Sequence, residues 1–182
     1  MGSVVKEFED AIKDYIGVKH VIAVNTGSSA IHLAIDVLDV KTGDEIITPS
    51  LTYAAAIQAI IACGAKPVFC DVEEETLNIN ARDVKKKVSS RTKAILPVHY
   101  CGNPVDMDEL LSLAQKHKLT VIEDACHGFG SIYKGKKIGS FGNMTCFSFD
   151  PVKVITCGEG GCITTNNDAW ADLLQKKRLL GI

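Results

Sequence analysis

The fold of this chain is constrained most by a regular alternation of short apolar runs with segments of helical periodicity. Seven runs of four to six residues are rich in β-branched and apolar residues, and most are followed by a helical segment. Strands that alternate with helices form a mostly parallel sheet covered by helices on both faces. The predicted strands are 21–25, 45–48, 66–71, 93–98, 120–124, 144–149 and 162–165. The predicted helices are 1–17, 28–38, 53–63, 81–88, 106–116 and 168–180.

The last two predicted strands have no helix between them, and a glycine-rich loop joins them instead. We therefore predict an α/β fold with three layers, α/β/α, around a seven-stranded and mostly parallel sheet whose last strand is antiparallel. The segment YKGKKIGSFG, 133–142, predicts a hairpin that ends in a glycine-rich turn.

The composition is that of a globular domain with a buried core. Of the 182 residues, 46% are hydrophobic and 23% are charged. The net charge of −2 gives no reason to expect nucleic acid or a membrane surface as a partner. The basic run 85–87 is typical of a solvated helix face, and no apolar run approaches membrane-spanning length.

Seven cysteines, an odd number without a CxxC pair, are distributed mostly in apolar runs. This pattern favours reduced thiols used as small apolar side chains over disulfides or a zinc site. The N-terminal segment lacks the apolar stretch of a signal peptide. We expect a cytoplasmic protein without a bound metal.

Polar residues that follow the strands indicate where a ligand would bind, because open α/β sheets bind ligands at the carboxyl ends of their strands. After the first strand, Gly27, Ser28 and Ser29 stand where a helix begins, which suits a phosphate group. The alternative is that Ser28 only caps the helix. After the second strand comes Tyr53, which can lie on a planar ring or pack in the core.

The later strands add ionisable groups to the same edge. Asp124 ends an apolar strand and should be largely buried, and His127 lies one turn beyond it. Ser148 lies within the sixth strand, and Lys153 lies in the loop that follows. His99 and Asn103 follow the fourth strand, and the residues alone assign them no chemistry.

This combination matches the needs of pyridoxal 5′-phosphate. The aldehyde of this cofactor bonds to a lysine, its phosphate to a helix N-terminus, and its ring nitrogen to an aspartate. An aromatic side chain covers the face of the ring. Each residue alone is a weak indication, but their order at successive strand ends predicts a pyridoxal-phosphate site.

The chain resembles the DegT/StrS type of nucleotide-sugar aminotransferases, which belong to the fold-type I pyridoxal-phosphate enzymes. The resemblance spans nearly the whole chain in the family's order. It rests on VNTGSSAIHLAI, GDEIITPSLTYAA, GAKPVFCDV, RTKAILPVHYCGNPVDMDEL, VIEDACHGFGSIYKGKKIGSFG and FSFDPVKVITCGEGGCITTNND.

The resemblance implies two catalytic residues. By its place in the lysine–GEGG motif, Lys153 bonds covalently to the cofactor, and Asp124 of the E-D-A segment pairs with the ring nitrogen. The other implied cofactor contacts are Gly27, Ser28, Ser29 and Ser148 at the phosphate, Tyr53 on the ring and His127 near the phenolic oxygen. No chemistry is assigned to Glu159.

The sequence also departs from the family. Asp150 stands where the family often has His or Tyr. The chain has about half the family's length, so the resemblance implies that residues 1–182 form the cofactor-binding large domain and that the C-terminal small domain is absent.

The implied reaction is transamination of a nucleotide-linked keto sugar by an amino-acid donor, L-glutamate, in deoxyamino-sugar or surface polysaccharide biosynthesis. The implied assembly is a homodimer. Three alternatives stay open: a cofactor-binding domain that is inactive by truncation, another fold-type I activity, and a plain nucleotide-binding module. No Gly-x-Gly-x-x-Gly or phosphate-binding P-loop motif supports the last of these.

Overall fold

The computed structural model describes residues 2–179, which form six α-helices, one short 3₁₀ helix (Tyr100–Gly102) and nine strands. The helices are α1 Ser3–Ile16, α2 Gly27–Asp36, α3 Ala54–Ala62, α4 Ala81–Lys87, α5 Met107–His117 and α6 Asp168–Arg178. The strands are β1 His20–Val24, β2 Glu45–Pro49, β3 Lys66–Cys70, β4 Thr92–Ile95, β5 Thr120–Asp124, β6 Ile132–Tyr133, β7 Lys136–Lys137, β8 Met144–Ser148 and β9 Gly161–Thr165.

Seven of the strands within residues 2–179 form one sheet in the order β1-β9-β8-β5-β4-β2-β3. Strand β2 is parallel to β3 and β4, β4 is parallel to β5, and β5 is parallel to β8. Strand β9 is antiparallel to both of its neighbours, β1 and β8. The prediction of a mostly parallel sheet with an antiparallel last strand is confirmed.

Both faces of the sheet are buried, because successive side chains of its strands point to opposite faces and pack in different hydrophobic clusters. Ile46, Ile122 and Ile163 pack on one face with α2, α3 and α6. Their neighbours Ile47 and Val121 pack on the other face with α4 and α5. Helix α1 covers the rest of that second face. The predicted three-layer arrangement is therefore confirmed.

All predicted helices and strands are present, and the boundaries differ by a few residues. Strand β4 ends at Ile95 rather than 98, because Pro97 has no N–H to continue the ladder. Its partner β5 remains paired further on through a bridge between Val98 and Asp124. Positions 1 and 180 of the predicted helices lie outside the described residues.

The predicted hairpin is present but shorter than 133–142. It consists of β6 and β7, and the two residues between them, Lys134 and Gly135, both have positive φ. That geometry matches the right-handed twist of a two-residue hairpin loop.

All seven cysteines lie within the described residues and are free thiols. Over residues 2–179, the structure contains no helix with the length and apolarity needed to cross a membrane.

Gly161 allows the start of β9 to touch the turn before α2. A Cβ at this position would overlap the carbonyl oxygen of Thr26 and lie 2.7 Å from the amide nitrogen of Gly27. Both are backbone atoms that cannot rotate away. The glycine therefore sets how closely β9 and α2 approach each other.

We expect Gly161→Ala to lower the free energy of unfolding by roughly 3 kcal/mol, because the added methyl group must displace backbone. Urea denaturation followed by circular dichroism measures this change. The control is Gly158→Ala in the loop that precedes β9, where φ is +88° and nothing lies within 4 Å. That variant should lose only about 1 kcal/mol, the cost of its backbone conformation. Equal losses in the two variants would contradict the close approach at Gly161.

Candidate active site

A cavity of about 440 Å³ opens at the carboxyl ends of β1, β2, β4, β5 and β8. Seven of the eight predicted site residues line this cavity. They are Gly27, Ser28, Tyr53, Asp124, His127, Ser148 and Lys153. The eighth, Ser29, lies beside the cavity and does not line it.

The N-terminus of α2 forms one end of the cavity. The predicted alternative, capping by Ser28, is wrong, because the N-cap residue is Thr26. Its Oγ1 accepts the N–H of Ser29 at 3.0 Å and donates to Ser29 Oγ at 3.0 Å. Ser29 is thus hydrogen-bonded to the capping residue, whereas Ser28 lines the cavity. The first N–H groups of a helix have no acceptor within the helix and can bind an anion.

Gly27 brings this helix end against the ends of β5 and β8. A Cβ on Gly27 would lie 2.7 Å from Ser148 Cβ and 2.9 Å from Cys126 Sγ. Any larger residue would push α2 away from both strands. The missing side chain therefore places the helix N-terminus and the Ser148 hydroxyl side by side.

Asp124 is the buried carboxylate that the sequence predicts, with 4% of its surface exposed. Its Oδ1 accepts the N–H of Cys126 at 3.1 Å. Its own N–H donates to the Pro97 carbonyl at 2.8 Å, and its carbonyl accepts the N–H of His99 at 3.0 Å. Backbone bonds on both sides thus fix this residue at the end of β5. A rigid buried carboxylate suits a cationic N–H partner.

The carboxylate also acts on the thiol beside it. Burial, and after it the charge of Asp124, raise the pKa of Cys126 well above its ordinary value. Cys126 is therefore a protonated thiol at neutral pH and not a nucleophile.

His99, which sequence reasoning left unassigned, lies behind the cavity in a buried pair with Glu123. Both side chains are 0% exposed, and His99 Nε2 lies 2.9 Å from Glu123 Oε2. His99 Nδ1 accepts the N–H of Val105 at 3.1 Å, so the proton of a neutral ring is on Nε2 and is donated to Glu123. Glu123 Oε1 also accepts the N–H of Gly142 at 2.6 Å and the hydroxyl of Thr145 at 2.8 Å. The pair joins the loop after β4 to β5 immediately next to Asp124.

Asn103, the other unassigned residue, is exposed and has a structural role. Its carbonyl accepts one N–H of the buried Asn78 side chain at 3.1 Å. Asn78 also accepts the N–H of Tyr100 at 3.0 Å. The hydrogen bonds of Asn78 thus hold in place the loop that carries Tyr100, a residue of the cavity lining.

Lys153 lies on the loop 150–160, which is closed at its base by one residue. The N–H of buried Phe149 donates to the Gly160 carbonyl at 2.8 Å. Its carbonyl accepts the hydroxyl of Thr156 at 2.9 Å and the N–H of Cys157 at 3.1 Å. Lys153 itself is half-buried and lines the cavity. The lysine is thus on a short loop anchored to β8.

Tyr53 lies at the opposite rim as the N-cap residue of α3, and 76% of its surface is exposed. The alternative that Tyr53 packs in the core is therefore wrong. An exposed ring at the mouth of a cavity is available to a planar ligand.

Sequence reasoning missed two polar residues of the lining, Thr52 and Tyr100. Thr52 directly precedes Tyr53 at the same corner, and Tyr100 directly follows His99, so their position after strands was the available signal. Thr52 Oγ1 is buried and has no hydrogen-bond partner within residues 2–179. A buried hydroxyl without a partner is satisfied by a polar ligand. Together with the N-terminus of α2, it fits a polar group such as a phosphorylated cofactor.

Comparison with known proteins identifies the family to which the chain is similar. The family model described as the DegT/DnrJ/EryC1/StrS aminotransferase family matches residues 1–182. The chain is 49% identical over 180 residues to GDP-perosamine synthase of Caulobacter vibrioides, covering 99% of this chain and 48% of that protein.

Two solved structures share the fold closely. One is DesV of S. venezuelae in complex with a ketimine intermediate, with a TM-score of 0.97 and 38% identity, covering 100% of this chain and 49% of that one. The other is ntda of Bacillus subtilis with bound cofactor PMP, with a TM-score of 0.87 and 34% identity, covering 94% of this chain and 39% of that one. The chain thus spans about half the length of the curated relatives it matches.

We expect Glu123→Gln to lower the free energy of unfolding by about 1–3 kcal/mol, the cost of one buried donor without an acceptor. In one orientation the amide sets its own N–H groups against the N–H of His99, and in the other against the N–H of Gly142 and the hydroxyl of Thr145. Urea denaturation measures the change, and Glu7→Gln on the exposed surface of α1 is the control, expected within about 0.5 kcal/mol of the parent. An unchanged stability of Glu123→Gln would contradict the proton placement on His99.

Thiol modification tests the environment of Cys126. A charged alkylating reagent at neutral pH should modify the exposed Cys101 and Cys157 first and Cys126 much later, because the raised pKa keeps its thiolate fraction small. Raising the pH increases the thiolate at Cys126 only when the pH approaches that raised pKa. Peptide mapping by mass spectrometry follows each site, with the urea-unfolded chain as the control. Equal rates at Cys126 and Cys157 in the folded chain would contradict the described environment.

Proposed function

We propose a function for this chain from the premise that it belongs to the DegT/DnrJ/EryC1/StrS aminotransferase family, whose model matches residues 1–182. The proposed function is pyridoxal-phosphate-dependent transamination, in which a nucleotide-linked keto sugar receives an amino group. The observation that carries the proposal is the convergence of Lys153, Asp124, Ser148 and the N-terminus of α2 on one cavity. Each of these groups suits a different part of the same cofactor.

Residues at the α2 end hold the cofactor's phosphate in this proposal. The free N–H groups at Gly27 and Ser28 and the hydroxyl of Ser148 supply donors, and the helix dipole favours the negative charge. Thr52 offers a further hydroxyl that lacks a partner in the described residues. Ser29 contributes through Thr26, because it completes the cap that fixes the first turn.

Asp124 and Lys153 supply the reactive groups. Pyridoxal phosphate, when bound, supplies a conjugated ring that accepts electrons from the reacting carbon. The Asp124 carboxylate accepts the N–H of the ring nitrogen and stabilises its positive charge. The Lys153 amine would hold the cofactor through its aldehyde, with loss of water. As a free amine, Lys153 would move a proton at Cα of the amino donor.

Tyr53 and His127 complete the lining. Tyr53 would cover one face of the ring from the rim, and His127, which is half-buried, would contact the phenolic oxygen. We assign both as binding residues rather than as proton carriers.

The substrates follow from the relatives. The relative from Caulobacter vibrioides is named for the synthesis of GDP-perosamine, which supports a nucleotide-linked sugar as the amino acceptor. We propose L-glutamate as the amino donor and amino-sugar or polysaccharide biosynthesis as the setting. The spore coat polysaccharide protein SpsC of Bacillus subtilis, 42% identical over 181 residues, supports that setting.

We further propose a homodimer in the cytoplasm. The loop 150–160, which forms part of the rim of the cavity, exposes apolar side chains that water solvates poorly, with Val152 at 83% and Val154 at 78% exposure. A second subunit placed against this rim would cover them. The free thiols suit a reducing compartment.

The length of the chain favours a second candidate, a domain that binds the cofactor without turning over. The chain spans about half the length of its curated relatives. In that case the binding site for the nucleotide-linked sugar would lie in the half of the relatives that this chain does not match. Cofactor binding and turnover must therefore be measured separately.

We expect the purified chain to turn yellow on addition of pyridoxal phosphate, and borohydride reduction to fix the label on Lys153. Lys153→Ala should give no label and should lower turnover by about 10²–10⁴-fold or more, because it removes both the covalent bond and the proton carrier. The control is Lys136→Ala on the hairpin strand β7, outside the cavity, which should be labelled like the parent. Label distributed over several lysines would contradict the assignment.

Incubation of the cofactor-loaded but unreduced chain with L-glutamate and a keto sugar linked to a nucleotide separates the candidates, while a second, reduced sample reports the label. Formation of 2-oxoglutarate and an amino sugar supports transamination. Label on Lys153 without product supports the binding domain, and a product of elimination or of sulfur transfer supports another fold-type I activity.

A further inference from the structure

Asp150 begins the tight turn that carries Lys153. The carbonyl oxygen of Asp150 accepts the N–H of Lys153 at 3.0 Å, so Asp150, Pro151, Val152 and Lys153 form a β-turn. Asp is preferred at the first position of such a turn and Pro at the second. The local sequence therefore favours the turn by itself.

The Asp150 side chain closes the same turn a second time. Its Oδ1 accepts the N–H of Val152 at 3.0 Å, which is the geometry of an Asx turn. The backbone N–H of Asp150 donates to Ser148 Oγ at 3.4 Å. Asp150 thus links the end of β8 to the backbone N–H groups of Val152 and Lys153.

Packing contributes little to holding this segment. Val152 and Val154, on either side of the lysine, are 83% and 78% exposed. The hydrogen bonds of Phe149 hold the base of the loop and do not reach Lys153. Within residues 2–179, Asp150 supplies the acceptors for the N–H groups of both Val152 and Lys153.

We propose that Asp150 is the positioning residue of Lys153, and that it acts through its side-chain acceptor rather than through its charge. The carboxylate oxygen that accepts from Val152 locks the turn, and the locked turn directs the lysine into the cavity. The consequence for cofactor attachment rests on the proposed function. The geometry of the turn does not.

Two variants separate the acceptor from the charge. Asp150→Asn keeps an oxygen that can accept from Val152 and removes the charge, whereas Asp150→Ala removes both. The control is Asp172→Ala on α6, an exposed residue that is ion-paired with Lys176 and remote from the loop in sequence. Thermal unfolding of each variant confirms that it is folded.

Two measurements are made on each chain. Hydrogen exchange at the amides of Val152 and Lys153 reports the turn without any cofactor. The rate of covalent attachment of pyridoxal phosphate to Lys153, measured by borohydride trapping and peptide mapping, reports the position of the lysine. We expect Asp150→Ala to speed the exchange and slow the attachment, each by about fivefold, the effect of one lost hydrogen bond. Asp150→Asn and Asp172→Ala should stay within about twofold of the parent in both measurements.

Each other outcome has a definite meaning. Attachment at the parental rate in Asp150→Ala, with faster exchange, would overturn the proposal because the turn would not position the lysine. Slow attachment in both Asp150 variants would overturn it in favour of the charge. Unchanged exchange in Asp150→Ala would overturn the role of the acceptor. If the parent chain never takes the cofactor, the proposed function fails, and the exchange data still decide whether Asp150 holds the turn.

Discussion

The contact between the start of α2 and the ends of β8 and β9 determines where every other group of the site can lie. Gly27 leaves no room for a side chain against Ser148 and Cys126, and Gly161 leaves none against the backbone of Thr26 and Gly27. Because neither glycine has a side chain to hold these segments apart, the helix N-terminus lies directly against both strands. The N–H groups of α2, the Ser148 hydroxyl and the Asp124 carboxylate then share one cavity. An extra methyl group at either glycine would separate the anion-binding helix end from the strands that carry the ionisable groups.

A second layer of buried polar groups supports this arrangement from behind. Asp124 faces the cavity, and its neighbour Glu123 is buried against His99, Gly142 and Thr145. Successive residues of a strand point to opposite faces, so the end of β5 supplies the Asp124 carboxylate to the cavity and the Glu123 carboxylate to the buried hydrogen bonds behind it. The Glu123 carboxylate accepts hydrogen bonds from three donors, and these bonds offset the free-energy cost of burying it. Its position ties the loop of Tyr100 to the strand of Asp124.

The sequence was sufficient to predict the parts of the fold that depend on local pattern. Strand β5 occurs at the predicted residues, and the antiparallel β9 follows from the missing crossover helix. Side-chain partnerships across the fold were not predictable in the same way. Glu123 and His99 are 24 residues apart, and nothing in the local pattern of either residue specifies the other.

The cap of α2 illustrates the same limit on a smaller scale. Thr26 and Ser28 are both good capping residues, and a shift of two positions decides which one caps the helix. Tyr53 could equally have been core or rim by composition, and only the tertiary path of the chain places it at the mouth. The positions of residues after strands were predictable, whereas the direction of each side chain depends on packing that a single sequence does not display.

The distribution of the reactive groups over rigid and loop positions matches what the proposed chemistry asks of them. Asp124 lies at the end of β5 with backbone bonds to Pro97 and His99, and Ser148 lies at the end of β8 paired with Gly161, so they can hold a charge without moving. Lys153 has to hold the cofactor at one moment and carry a proton at another, which requires a side chain that can swing while its backbone stays in place. A loop closed at Phe149 and tightened at Asp150 provides this combination, because the backbone of the lysine is hydrogen-bonded and its neighbours Val152 and Val154 are exposed. The turn confines the motion to the lysine side chain, and the strands keep the groups that it must reach at fixed positions.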